Sequence, residues 1–364
     1  MKHGVVQSVL MVGAIAGLAA CSPANGSGNE IAGNEITGNE VTGNAAGATA
    51  APVAAEGTSI ARFDPALDAV IAPGAVLEKV ASGFEFAEGP IWVGDRLRFS
   101  DLAGNKLFEI TPEGETKLLL DHSGGLDNPP KPSFSGSNGS VIDKDGSVLM
   151  TQHGLRRVVR VGADMKLTTF LDRYQGKRLN SPNDLAFSPD GALWITDPPY
   201  GLVGRDEDPA KELTFNAVWR YKDGVLKPVI TDLPRPNGIA FSPDGKKLYI
   251  SNSEPTMFVN VYDVNADGTV GKPKTFISYP GPNPVDVPDG IKTDSAGNVW
   301  TSGPGGMRII SPAGKVLGQL KSPDRAQANV AWGGPDRKTA YLMAAGTIYR
   351  LRLAIPGAAP LYSK

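Results

Sequence analysis

Short apolar runs alternate with polar turns along most of the chain, and one such unit keeps returning. Ser181–Tyr200 reads S-P-N-D-L-A-F-S-P-D-G-A-L-W-I-T-D-P-P-Y. The polar pair Asn183-Asp184 leads into a short apolar strand. A Pro-Asp-Gly turn then reverses the chain, and a second apolar strand ends at Asp197. Apolar runs of this length, broken by Asp-Gly, predict β-hairpins.

The unit recurs from Phe86 onward. Glu88-Gly-Pro-Ile-Trp precedes Leu97-Arg-Phe-Ser, Asn138-Gly-Ser-Val-Ile precedes Val148-Leu-Met-Thr, and Asn183-Asp-Leu-Ala-Phe precedes Leu193-Trp-Ile-Thr. Asn237-Gly-Ile-Ala-Phe precedes Leu248-Tyr-Ile-Ser, Asp289-Gly-Ile-Lys precedes Val299-Trp-Thr, and Asn329-Val-Ala-Trp precedes Ala340-Tyr-Leu-Met. Further pairs such as Val158-Val-Arg-Val and Leu167-Thr-Thr-Phe complete each unit. No long amphipathic helical period interrupts 86–353. Hairpin repeats at intervals of roughly 40–50 residues have the length of propeller blades. Six copies predict an all-β, six-bladed β-propeller, with residues 75–81 adding an outer strand to the last blade and closing the ring.

The pattern is different before residue 59. Lys2, the apolar run Val5 to Ala16 and the small residues Leu18-Ala-Ala read as a signal peptide over 1–20, ending at Cys21. Leu18-Ala-Ala-Cys21 resembles the lipobox of bacterial lipoproteins, which implies acylation of Cys21 and anchorage at the envelope, on the periplasmic face of the outer membrane. The alternative is an incidental cysteine. Residues 21–58 carry the repeats Gly28-Asn-Glu, Gly33-Asn-Glu and Gly38-Asn-Glu and too little apolar surface to offset ordering entropy, so they are expected to be a tether. The propeller is expected over 59–364.

Composition narrows the chemistry. Gly (44) and Pro (30) suit a fold made of turns. A net charge of −2 gives no electrostatic footprint for nucleic acid. The three histidines, His3, His122 and His153, make a histidine-built zinc site hard to assemble, and one cysteine excludes an internal disulfide. Neither a G-x-S-x-G elbow nor a G-x-x-x-x-G-K-[ST] loop is present.

The inner strands of a propeller run side by side along its axis, so equivalent repeat positions meet in one layer. That layer is Glu88, Asn138, Asn183, Asn237, Asp289 and Asn329. Carboxylate and amide oxygens facing one space suit a hard divalent cation, Ca2+ first, with Mg2+, Mn2+ or Zn2+ as substitutes. The alternative is that these residues cap turns at strand entrances. Asp145, Asp190 and Asp244 belong to the Asp-Gly turns.

At these residues the chain resembles the senescence-marker-protein/gluconolactonase family, which includes regucalcin and, more distantly, diisopropyl fluorophosphatase. The matching stretches are A-E-G-P-I-W (87–92), R-L-N-S-P-N-D (178–184), T-D-P-P-Y-G-L (196–202), P-N-G-I-A-F (236–241), P-D-G-I (288–291), S-G-P-G-G (302–306) and N-V-A-W-G-G (329–334). The resemblance implies a metal-dependent hydrolase opening a sugar-type lactone. It makes Glu88, Asn237 and Asp289 metal ligands, Asn183 a metal or substrate contact, and Asp289 the general base or, alternatively, the nucleophile. Asn138, His153, Tyr200 and Asn329 become candidate substrate contacts, His153 and Tyr200 with structural roles as alternatives, and Asp184 is either an orienting neighbour or a strand-entry residue. A phosphotriesterase on the same site, or a binding propeller with a structural metal, is the alternative function. The partner expected is a small-molecule lactone. The loops 121–136 and 203–216 are expected to set specificity.

Overall fold

The computed structural model describes residues 52–130, 134–281, 283 and 285–362; the expected signal peptide, Cys21 and most of the expected tether lie outside them. Six antiparallel units, five of four strands and one of five, follow one another in the chain. The first is Ala87–Val93, Arg96–Asp101, Lys106–Ile110 and Thr116–Asp121. The second is Ser137–Ile142, Val148–Gln152, Arg157–Val161 and Leu167–Leu171. The third begins at Leu185–Phe187 and Leu193–Asp197, the fourth at Pro236–Phe241, the fifth at Ile291–Thr293 and the sixth at Gln327–Gly333. The inner strands of neighbouring units lie beside one another, as in a six-bladed propeller.

The alternating pattern explains the packing. Leu193, Trp194 and Ile195 are consecutive and all buried, because a blade is covered on both faces. Leu193 and Ile195 pack with Leu149 and Val158 of the preceding blade, while Trp194 packs with Ile239 and Leu248 of the following one. Trp219 and Trp300 are likewise fully buried. At the tips, Asp145, Asp190 and Asp244 accept the backbone N–H two residues on, and Gly146, Gly191 and Gly245 take the positive φ that the turn demands.

Two strands from before the first blade dock onto late blades. Glu78–Ser82 pairs with Thr347–Arg352 and supplies the outer strand of the sixth blade. Ser59–Arg62 pairs with Val316–Lys321 as a fifth strand on the fifth blade, a pairing that no repeat announces because only one blade has it. The helical elements among the described residues are two 3-10 turns, Pro65–Ala69 and Arg205–Glu207. None of the described helices is long and apolar enough to cross a membrane.

The beginnings of the inner strands are irregular. The ladder shifts register between Glu88 and Ile91, Ser137 and Ser140, Pro236 and Ile239, and Gln327 and Asn329. Such bulges re-aim side chains next to functional sites. In four of the six repeats the residue after the layer position is glycine: Gly89, Gly139, Gly238 and Gly290. A Cβ on Gly89 would lie 2.1 Å from the Asn138 carbonyl oxygen, and one on Gly238 would lie 2.2 Å from that of Asp289. Glycine here lets neighbouring inner strands approach closely enough to bring the layer together.

Candidate active site

A cavity of about 140 Å³ opens at the end of the channel where the inner strands begin. Glu88, Asn138, Asn183, Asn237 and Asp289, from five successive blades, line it, with His153, Tyr200, Arg205 and Glu254. Asn329 is not in the lining. Its Oδ1 accepts the Val330 N–H and its Nδ2 donates to Glu88 Oε1 at 2.9 Å. The sixth oxygen expected in the layer is therefore turned into the backbone, and Asn329 holds Glu88 instead of lining the cavity.

Four other oxygens have the opposite character. Glu88 Oε2, Asn138 Oδ1, Asn183 Oδ1 and Asn237 Oδ1 are buried and have no hydrogen-bond partner in the protein. A buried acceptor left unpaired costs about 1–3 kcal/mol, so four at one site favour a bound cation, ligand or ordered water there.

Their orientations are enforced. His153 is fully buried, with Nδ1 2.9 Å from the Phe134 carbonyl oxygen and Nε2 3.2 Å from Asn138 Nδ2. A carbonyl only accepts, so Nδ1 carries the proton and Nε2 accepts from the amide. Burial lowers the His153 pKa to about 4, which keeps the ring neutral. Asn138 must then present Oδ1 to the cavity. Ser253 does the same for Asn237: its hydroxyl donates to the Pro288 carbonyl at 2.6 Å and accepts from Asn237 Nδ2 at 2.9 Å.

Hydroxyls on the second strands hold the backbone of the layer. Ser100 Oγ donates to the Asn138 carbonyl at 3.2 Å, Thr151 Oγ1 to that of Asn183 at 2.8 Å, and Ser251 Oγ to that of Asp289 at 2.6 Å. Each reaches from one blade to the next. The Ser or Thr that closes the second apolar run of these repeats was visible as a pattern, although its task was not.

The carboxylates oppose one another. Burial raises Glu88 to about 7, and Asp184 adds to the rise. Asp289, half-buried, is pushed well above the usual carboxylate range, first by burial and then by Glu88 and Asp184. Lys292 opposes both shifts, its Nζ 3.3 Å from Asp184 Oδ2. Asp184 also accepts from Leu185 N at 2.8 Å. It thus both shapes the strand entry and supplies charge beneath the cavity. Lys292 was missed in the sequence, where it reads as one more exposed-face residue of an inner strand.

This donor set fits a divalent cation: two carboxylates short of positive charge, with amide oxygens that nothing else satisfies. Among the described residues no group of three or more His, Cys, Asp or Glu side chains is placed to hold a metal, so the site depends on its amides. Tyr200 lines the same cavity, and burial holds its hydroxyl above the ordinary range.

The profile of the SMP-30/Gluconolactonase/LRE-like region matches residues 86–346. The chain belongs to this family. A gluconolactonase of Zymomonas mobilis is 36% identical over 308 residues, covering 80% of this chain and 85% of that one. Pentonolactonase XacC of Haloferax volcanii is 29% identical, covering 74% and 85%. The solved structure of a gluconolactonase from Xanthomonas campestris superposes with a TM-score of 0.72 at 29% identity, covering 84% and 98%. The family match spans all six inner strands and therefore the whole cavity.

Proposed function

We propose that this family member hydrolyses a sugar-type lactone in the cavity beneath Tyr200, with a divalent cation, Ca2+ by the hardness of the donors, held by Glu88, Asn183, Asn237 and Asp289. The observation that carries the proposal is the set of buried, unpartnered oxygens of Glu88, Asn183 and Asn237 beside Asp289. The kinship with lactone-hydrolysing relatives supports the substrate class.

A cation in this donor set supplies positive charge that stabilises the oxygen of a lactone carbonyl as it gains negative charge. Asp289 takes a proton from water, whose oxygen bonds to the carbonyl carbon. The ring C–O bond then breaks, and the leaving alkoxide receives a proton to complete the hydroxy acid. A carboxylate held above its usual range by burial and by its acidic neighbours is better matched to accepting and returning a proton than an ordinary one. Asn329 keeps Glu88 in place, while His153 and Ser253 keep the Asn138 and Asn237 amides facing inward. Cys21 is proposed to carry lipid and to tether the propeller to a bacterial envelope through residues 22–58.

The test is a panel of sugar lactones and phosphotriesters assayed with added divalent cations and with chelator. Cation-dependent lactone turnover is expected. Turnover that persists in chelator removes the metal, and phosphotriester turnover without lactone turnover reverses the substrate class. Cys21→Ser should shift the protein from the membrane to the soluble fraction; unchanged partitioning would overturn the anchor.

A further inference from the structure

We propose that Arg205, stacked on Tyr200, is an anion-binding arm of the cavity, and that the lactone taken here carries an acidic group away from its ester. This rests on the lactonase reading above and specifies its substrate.

Arg205 lines the same cavity as Glu88 and Asp289. Its guanidinium carbon lies 4.7 Å from the centre of the Tyr200 ring, so one face of the fork is held flat. Its Nη1 is buried and has no hydrogen-bond partner in the protein. The neighbouring charges do not consume it. Glu254 also faces the cavity, but lies 3.8 Å from Arg235 Nε, and Arg235 bonds Asp206 through Nη1. Arg205 makes no ion pair among the described residues. A guanidinium with a pinned plane and an unused buried donor recognises a planar or tetrahedral anion, carboxylate or phosphate, in preference to a neutral hydroxyl.

The backbone gives no other reason for arginine at this place. Arg205 has φ 53°, a left-handed conformation that glycine or asparagine adopts at less cost. Gly204 before it has no side-chain cap, and the Asp208 side chain holds the turn through the Gly204 N–H at 2.8 Å. The turn is thus secured without the Arg205 side chain, which is left to face the cavity.

The experiment compares D-glucaro-lactone, with a carboxylate at the far carbon, against D-glucono-lactone, with a hydroxymethyl group there. Wild-type kcat/KM is expected to favour the acidic lactone, and Arg205→Gln to lower that ratio about 10- to 100-fold, the worth of one charge-assisted hydrogen bond. Arg205→Lys should retain part of the preference, and Tyr200→Leu, which removes the stacking face, should move the ratio the same way as Arg205→Gln. A ratio unchanged by Arg205→Gln, or a wild-type preference for the neutral lactone, overturns the proposal. Calorimetric titration with glucarate and gluconate separates it from the catalytic reading. If no lactone is hydrolysed, that reading fails, yet tighter glucarate binding abolished in Arg205→Gln still upholds the arm. Equal binding of the two acids by wild type overturns it. Thermal melting of each variant identifies any that has lost its fold.

Discussion

The two ends of the central channel are made by the same six inner strands and have opposite chemistry. At the strand beginnings the cavity holds Glu88, Asp289 and amide oxygens without partners. At the other end a larger cavity of about 400 Å³ is lined by apolar residues such as Pro90, Trp92, Leu185, Ile239 and Trp332, together with Ser140, Lys292, Thr293 and Arg337, and, among the described residues, by no carboxylate. There the chain's own end lies across the opening. Ala358 N donates to the Thr293 carbonyl at 3.0 Å, Gly357 packs so closely on Trp332 that a Cβ would lie 1.9 Å from the ring, and Tyr362 meets Phe187 with centroids 5.0 Å apart. Lys292 and Asp184 form an ion pair between the two ends. At the apolar end no lining carboxylate or amide oxygen among the described residues is left without a partner, Arg337 Nε being the buried polar atom there that lacks one, whereas the polar end gathers four buried oxygens without partners. That contrast in unpaired oxygens, rather than size, is what singles out the smaller cavity as the candidate site.

The contrast breaks most sharply at Asp289. Asp289→Asn should lower lactone turnover about 10²- to 10⁴-fold, the usual worth of a general base. Cation binding, read as a thermal shift, should persist. A variant that keeps wild-type turnover would remove Asp289 as the base.

The next effect concerns pH. Burial keeps Glu88 protonated in the metal-free native state up to about 7, against 4.5 for an ordinary glutamate. The native state therefore holds more protons than the unfolded chain between those values. Stability is greatest below about pH 4.5 and falls as pH rises through 7, by a few kcal/mol when this group is considered alone. Urea midpoints in chelator should decline between pH 5 and 8, Glu88→Gln should flatten the decline, and added cation should raise the midpoint most at the alkaline end. A flat profile for the wild-type protein would contradict the charge crowding.

His153→Ala frees the Asn138 amide to turn. Loss of an orienting partner of this type costs about 10- to 100-fold in metal affinity. The expected outcome is weaker cation binding, with a smaller loss in His153→Gln, whose amide can still accept from Asn138. Equal affinities in all three proteins would leave His153 with a packing role alone. The smallest effect belongs to the apolar end. Tyr362→Ala should lower stability by about 1 kcal/mol, the worth of one aromatic edge contact, and leave lactone turnover and cation affinity unchanged. A change in cation affinity would mean that the two ends are coupled through Lys292 and Asp184.

Much of this architecture is local and was readable as such. A short apolar strand and an Asp-Gly turn are properties of a few neighbouring residues, and their recurrence about every 40–50 residues predicted the blade count and a closing strand, expected over 75–81 and found at Glu78–Ser82. The layer followed because equivalent positions in a repeat must share a height on the axis. Five of its members line one cavity. Two strands behaved alike in sequence and differently in space: Asn138 and Asn329 occupy the same repeat position, but His153 aims one amide inward while Val330 and Glu88 engage the other. Whether an amide's oxygen is left free depends on donors from other blades and loops, and no spacing encodes that.

The sequence by itself therefore determined the number of blades, the turns and the set of oxygen-bearing residues brought to the axis. Tertiary structure decided which of those oxygens remain unpaired, placed Lys292 under the carboxylates, and brought Arg205, from a loop outside the repeat, against Tyr200 at the cavity. The physical reason is the range of the interactions: strand and turn propensities act between adjacent residues, whereas hydrogen-bond satisfaction and mutual carboxylate repulsion act between side chains that only the closed ring makes neighbours.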